Sequence, residues 1–345
     1  MSVRLVTFNV QHGTRPDGTV DPALLARAVA GLGGDVVALQ EVDRGQQRSG
    51  EADLARMVAD AVGASEYRFV PTVAGTVDPR RAMPGEAPKD PAAVLAPAVA
   101  SRGRARWAAS ARVLRSPAGR AAVRAYLGTW RSRRRARGDE PDAVPGYGIA
   151  LVSRLPVREW WHVRLPLGSP WPFGRLQLGR DEPRAALAAV VETPGGPLTV
   201  VTTHLTTGRR WNRRQLRWLV RRLRTAPRPL VLLGDFNIRG DEPAARTGWH
   251  ELVHVPTYPR HRPFLRIDHV LADGIAAPDG VAAPDAREPG PVDPGPVDPE
   301  GVDPDRVEPA ARYAVRALGP ARAVDAGISD HCAVVVDLEV VRARR

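Results

Sequence analysis

The sequence predicts an α/β fold built in layers. Three observations carry this: short apolar runs of strand length recur along the chain, helix-like segments stand between several of them, and polar residues repeatedly end the apolar runs. At 345 residues the chain can bury a core of this kind as one large domain or two small ones.

The first run, Val3 to Asn9, reads as a strand. Asp21 before Pro22 fits a helix start, followed by apolar Leu24, Leu25, Ala28 and Val29, and Gly33-Gly34 stops that helix. A second buried strand, Val36 to Gln40, is expected to end on Glu41, with a helix-like stretch from Ala52 to Val62 beyond it. From about residue 75 to 145 proline, alanine and arginine dominate and the pattern fails, which marks a basic insert. Within it Ala121 to Trp130 has helical character, and Arg131 to Arg137 reads as a solvated cationic run.

Order resumes with the apolar strand Tyr147 to Ser153. Arg184 to Glu192 and Leu198 to His204 flank the turn Thr193-Pro194-Gly195-Gly196-Pro197 and predict a hairpin. Arg209 to Arg224 is an amphipathic helix, with Leu216, Leu219, Val220 and Leu223 on one face and arginines on the other. The strand Leu230 to Leu233 follows, then one carrying Arg266 to Leu271. Val-Asp-Pro repeats make about 275 to 310 an acidic, proline-rich insert, and the last strand runs from Ala333 to Val340.

The formal net charge of +12 is local rather than general. Arg102 to Gly138 holds 12 arginines and no acid, Arg209 to Arg224 holds 8 arginines and no acid, and Asp273 to Pro309 holds 10 acids against 2 arginines. The remainder is close to neutral, so charge alone does not make this a nucleic-acid-binding protein. The single cysteine, Cys332, excludes an internal disulfide and argues against a thiolate metal site. It reads as a buried small residue. No apolar stretch approaches the roughly 20 residues that cross a bilayer, and no secretory leader is apparent, so a soluble, cytoplasmic protein is expected.

Candidate chemistry lies at the strand ends: Asn9, Glu41, His204, Asp235 with Asn237, Asp268, and Asp330 with His331. An Asn or Asp at one strand end is by itself a common turn former. Six coincident sites are a different matter, because strand ends that converge on one rim form a pocket. Glu41 supplies a hard oxygen ligand of the type Mg²⁺ takes, usually one or two carboxylates with water and substrate phosphate completing the shell. His12, His162, His254 and His269 lack a comparable pattern and are read as structural or surface residues.

In order along the chain, Thr7-Phe8-Asn9, Leu39-Gln40-Glu41-Val42-Asp43, Tyr147-Gly148-Ile149-Ala150-Leu151-Val152-Ser153-Arg154, Thr203-His204-Leu205, Gly234-Asp235-Phe236-Asn237, Arg266-Ile267-Asp268-His269 and Ser329-Asp330-His331 resemble the motifs of the endonuclease/exonuclease/phosphatase superfamily. The resemblance spans the chain apart from the two inserts. It implies one domain over 1–345, a four-layer α/β/β/α sandwich of two packed mixed sheets like that of deoxyribonuclease I, with the active site at one end of the sheets.

The resemblance also implies roles. Glu41 would hold Mg²⁺ or Mn²⁺ with Asn9 beside it, and Asp330 would bind or position the metal. Asp235 and Asn237 would orient attacking water and phosphate. His331 would donate to the phosphoryl oxygen or act as acid/base, its tautomer fixed by Asp268. His204 and Glu182 would form a further Glu–His pair, and Arg184 would bind phosphate or stand as an exposed strand-end cation. Ser329 is read as a loop-holding residue rather than a nucleophile.

The implied activity is metal-dependent hydrolysis of a phosphate ester, first as a nuclease or other phosphodiesterase, alternatively on phospholipid or inositol-phosphate head groups. A non-catalytic arginine-rich nucleic-acid-binding protein on the same scaffold is the reading from another class. Trp160, Trp161, Trp171 and Phe173 are expected to overhang the site, where they would grip a base or lipid or cover the core.

Overall fold

The structure, a computed structural model, describes residues 1–76, 144–166, 182–275 and 313–343. Among these, thirteen strands form two mixed sheets. The first has the order β11 (Tyr313–Ala317), β13 (Ala333–Arg342), β1 (Val3–Asn9), β2 (Val36–Arg44), β4 (Gly146–Ser153), β3 (Glu66–Ala74), with β12 (Arg322–Val324) also on β13. The second runs β5 (Val157–Arg164), β6 (Ala185–Thr193), β7 (Gly196–His204), β8 (Leu230–Asp235), β10 (Asp268–Asp273), β9 (His250–Glu251).

The sheets pack face to face. Leu5, Val36, Ile149 and Leu151 of the first meet Leu187, Val200, Leu233 and Val270 of the second in the central core. Because side chains alternate along a strand, the intervening residues face outward and need a second cover. On the first sheet Val6, Phe8, Val37 and Leu39 pack under α1 (Pro22–Gly31) and α2 (Leu54–Val62). On the second, Val201, Leu232 and Leu271 pack under α3 (Arg209–Arg222), with α4 (Glu242–Thr247) nearby. The result is an α/β/β/α sandwich.

Local chemistry explains the elements. Asp21 caps α1 by accepting from the Leu24 N–H at 2.8 Å, and Asp53 caps α2 in the same way from Arg56. On α3 the Leu216 and Leu219 side chains are buried while its arginines face outward. That helix therefore serves as a packing helix. Cys332 is buried, as expected.

Four expectations need correction. The strand Val36 to Gln40 does not stop at Glu41 but continues to Arg44, with Glu41 bulged out of register. Arg266 and Ile267 precede β10 rather than starting it. Trp160 and Trp161 do not overhang the site but cover the core, which is the third of the roles expected for them. They lie mid-strand on β5 opposite Ala189 and Ala188, where Trp160 packs on the central core and bonds Glu66 at 3.2 Å and Trp161 packs under the outer helices. Strands β3, β5, β11 and β12 were not expected at all. The proposed helix 121–130, the cationic run 131–137, Trp171, Phe173 and nearly all of both inserts lie outside the described residues.

Candidate active site

Asp235 is the hub. It ends β8 between β7 and β10, directly opposite His204 on one side and Asp268 on the other. Three chemistry-bearing residues thus stand side by side on adjacent strands of one sheet. The backbone is tight here: Gly234 has φ +141, and a Cβ on it would lie 2.0 Å from the Thr203 carbonyl oxygen, so only glycine fits.

Beyond the strand the chain turns sharply. Asp235 Oδ1 accepts the Asn237 N–H at 2.9 Å, Phe236 is fully buried, and Asn237 adopts φ 52. The Asn237 side chain donates to the Leu205 carbonyl at 3.0 Å and lies 3.4 Å from His204 Nε2. Asn212, buried on α3, holds the Asn237 carbonyl at 2.8 Å.

The other sheet contributes from across the sandwich. The Asn9 amide donates to Asp235 Oδ2 at 3.1 Å and to Glu41 Oε1 at 3.0 Å, while its Oδ1 accepts the Gln11 N–H at 3.1 Å. Asn9 therefore bridges two carboxylates through its nitrogen. Glu41 is the extra residue of a bulge between Gln40 and Val42, with φ 58, and a bulge of this kind re-aims a side chain at the end of a sheet. On the far side of β4, Gly148 lies tight against β3, where a Cβ would stand 2.0 Å from the Val70 carbonyl oxygen.

The turn before β13 brings the last group. The Ser329 hydroxyl donates to the Asn9 carbonyl at 2.6 Å and accepts the His331 N–H at 3.2 Å, so Ser329 holds the loop. His331 Nδ1 lies 3.0 Å from Asp268 Oδ2, and its Nε2 lies 3.8 Å from Asp235 Oδ2. His204 Nε2 approaches that same Asp235 oxygen at 3.4 Å.

The two imidazoles are driven apart. Burial pushes His204 well below the ordinary value, and the positive charges of Arg184 and His331 push the same way, so it is neutral. Burial also works against charge on His331, but Asp268, with Asp235 and Asp330, outweighs it and lifts the ring to about 10. His331 is an imidazolium at neutral pH. Burial raises Asp235, with Asp268 adding to the rise and His331 opposing it.

The structure brings Asn9, Glu41, His204, Asp235, Asn237, Asp268 and His331 into one cluster, with Asp330 close enough for its charge to act on Glu41 and His331. The expected Glu182–His204 pair is not formed. Glu182 pairs with Arg184 at 3.4 Å, and His204 faces Asp235 and Asn237 instead. Arg184 is buried at 7% exposure, not an exposed cation. Thr257 and Tyr258 were missed: the Thr257 hydroxyl donates to Asp268 Oδ2 at 2.5 Å, and the Tyr258 ring lies 4.8 Å from that of His331. Their only sequence signal is a polar-aromatic pair before a proline, which alone reads as a turn.

Asp235, Asp268 and His331 offer one ligand atom each, all within 4.8 Å of one another. A protonated ring already bonded to Asp268 is a poor metal ligand, however. Glu41 fits a cation better: burial raises it, the nearby negative charges of Glu182 and Asp330 raise it further, and a divalent ion would relieve both effects.

Residues 6–331 match the family model described as Endonuclease/Exonuclease/phosphatase family. The chain belongs to that family. Among solved structures, it is similar to an endonuclease/exonuclease/phosphatase from Beutenbergia cavernae, at 20% identity and a TM-score of 0.53, over 99% of this chain and 72% of that one. It is also similar to the Bacteroides vulgatus endonuclease/exonuclease/phosphatase, at 15% identity and a TM-score of 0.51, over 99% of each chain. No curated protein matches by sequence. Membership of the endonuclease/exonuclease/phosphatase family makes the chain a phosphoesterase in general terms, and no helix among the described residues is long and apolar enough to cross a membrane.

Proposed function

We propose that this protein is a divalent-metal-dependent phosphodiesterase that hydrolyses its substrate by in-line attack of water on phosphorus, without a covalent enzyme intermediate. The observation that carries this reading is the Asp235 carboxylate set between two imidazoles in opposite states, neutral His204 at 3.4 Å and cationic His331 at 3.8 Å. Titratable groups pushed apart in this way supply an acceptor and a donor within one site.

Asp235 and Asn237 orient the attacking water, with His204 beside them to take up its proton. His331 donates from Nε2 to the phosphoryl oxygen or to the departing ester oxygen, because Asp268 holds the other ring nitrogen. As the new P–O bond forms, the opposite ester bond breaks and the leaving oxygen ends protonated. Arg184, buried and flanked by Glu182, presents positive charge to the phosphate. Glu41, with Asn9 and Asp330 beside it, would hold Mg²⁺ or Mn²⁺, which supplies positive charge at the phosphoryl oxygens.

Purified protein is expected to hydrolyse bis-p-nitrophenyl phosphate with Mg²⁺ or Mn²⁺ and to stop on chelation. Asp235→Ala and His331→Ala are each expected to lower the rate by roughly 10²-fold or more while the chain stays folded. Failure to cleave any phosphodiester with any divalent ion would end the proposal. A panel of plasmid DNA, RNA, sphingomyelin and inositol phosphates reads out the substrate.

A further inference from the structure

The segment from Tyr258 to Leu265 adjoins the site at its base. Tyr258 and Leu265 pair as an antiparallel bridge, with the Leu265 N–H on the Tyr258 carbonyl at 2.9 Å and the Phe264 N–H on it at 3.0 Å. The base of this loop is fixed to the turn that carries His331. Tyr258 packs on the His331 ring, the Arg260 N–H donates to the Asp330 carbonyl at 2.7 Å, and its guanidinium bonds the Ser329 carbonyl at 3.0 Å and Asp325 at 2.7 Å.

The tip is different. His261, Arg262, Pro263 and Phe264 all face solvent, and Phe264 is 70% exposed. Among the described residues no acid pairs with Arg262 or His261. A lone exposed ring is common on protein surfaces. This one stands two residues from Arg262, on a loop tied to the turn that carries His331, and that combination suits a ligand that is both aromatic and polyanionic.

We propose that this tip is a binding platform for single-stranded nucleic acid. Phe264 stacks on an unpaired base, and Arg262 with His261 meets the phosphates flanking the one held at His331. Stacking on a ring beside backbone-tracking cations is how strands are gripped without sequence readout. A membrane anchor needs a broader apolar face than one ring beside a single arginine. The only other exposed large apolar side chains among the described residues are Met1 and Leu318. The inference rests on the phosphodiesterase reading above and names its substrate class.

The test uses the full chain and three readouts. The first is kcat/KM for oligothymidylate divided by kcat/KM for bis-p-nitrophenyl phosphate, which carries no strand to reach the loop. This ratio is expected to fall about tenfold in Phe264→Ala and to recover in Phe264→Tyr. In Arg262→Ala the slope of log affinity against log salt is expected to fall by about one. The third readout needs no turnover: Phe264→Trp should show added tryptophan emission that oligothymidylate quenches. An unchanged ratio together with unquenched emission overturns the platform. Binding to phosphatidylserine vesicles that depends on Phe264, without any effect of oligothymidylate, overturns it in favour of a membrane contact. Loss of bis-p-nitrophenyl phosphate hydrolysis in the parent protein would instead sink the catalytic reading, leaving the quenching experiment to decide the loop.

Discussion

Oδ2 of Asp268 receives both Nδ1 of His331, at 3.0 Å, and the Thr257 hydroxyl, at 2.5 Å, so one buried carboxylate oxygen sets the direction in which the imidazole points. Asp268 is also the group that does most to raise His331 against the effect of burial. In Asp268→Asn an amide oxygen can keep the geometry while the charge is lost. The rate is expected to fall by roughly 10²-fold or more, and the alkaline limb of the pH–rate profile to move to lower pH. The stability profile should follow. The ring's folded value, about 10, lies above its ordinary 6.5, so its contribution is whole below 6.5 and lost as pH rises through about 10. In the variant that loss comes earlier. An alkaline limb that stays in place would show that Asp268 does not tune His331.

Glu41 should behave in opposite ways with and without metal. Burial and neighbouring acids raise it above its ordinary 4.5, so the folded state resists its ionisation and is weakened as pH rises above 4.5. Without divalent ions at neutral pH, Glu41→Gln is expected to be more stable than the parent. With Mg²⁺ or Mn²⁺ the order should reverse, because ligand binding stabilises the parent by mass action and the variant lacks the carboxylate. Thermal melts of both proteins with and without metal decide this. A parent whose melting point ignores divalent ions would rule Glu41 out as a metal ligand.

The parts of this molecule that were legible in the sequence are those with a dense physical signal. Strands buried on both faces, such as Val36 to Leu39 and Leu230 to Leu233, are unbroken apolar runs, and the groups at their ends could be picked out because the run gives way to polar residues there. Edge and outer strands carry no such run. Strand β5 reads Val-Arg-Glu-Trp-Trp-His-Val-Arg with most residues partly exposed, and β3 is interrupted by Pro71, which sits at its own bulge. Within the site, residue types at strand ends were legible but partners were not. Glu182 goes to Arg184 rather than His204, a choice made by side-chain reach after folding and invisible to spacing along the chain. Thr257 and Tyr258 lie in a segment without periodicity, so nothing local marked them.

His12 offers an acid-side test separate from the catalytic groups. It sits in a tight turn with φ 47, its Nδ1 is buried without a hydrogen-bond partner among the described residues, and burial together with the charge of Arg48 lowers it to about 3. Below 6.5 the unfolded chain protonates this ring and the folded chain does not, so stability is lost as pH falls from 6.5 towards 3. In His12→Gln that component is absent. The stability difference between parent and variant should change by at most about 1.4 kcal/mol per pH unit across this window, as measured by urea unfolding. A difference independent of pH would show that the ring is free to charge in the folded protein.

Gly234→Ala tests whether the hub depends on the backbone as well as on the side chains. The added methyl would sit 2.0 Å from the Thr203 carbonyl oxygen, which is backbone of the paired strand and cannot swing aside, at a φ of +141 that L-residues rarely adopt. Relief requires β7 and β8 to separate where His204 faces Asp235. The substitution is expected to destabilise the protein by about 3 kcal/mol or more. Whatever folded protein remains should lose most of its activity, since the 3.4 Å approach between His204 and Asp235 depends on that register. Gly240→Ala is a control: its φ is also positive, at +63, but nothing among the described residues lies within 4 Å of the added carbon, so the cost should be smaller, about 1 kcal/mol. Equal losses in the two variants would mean that backbone conformation alone, rather than contact with Thr203, makes glycine necessary beside Asp235.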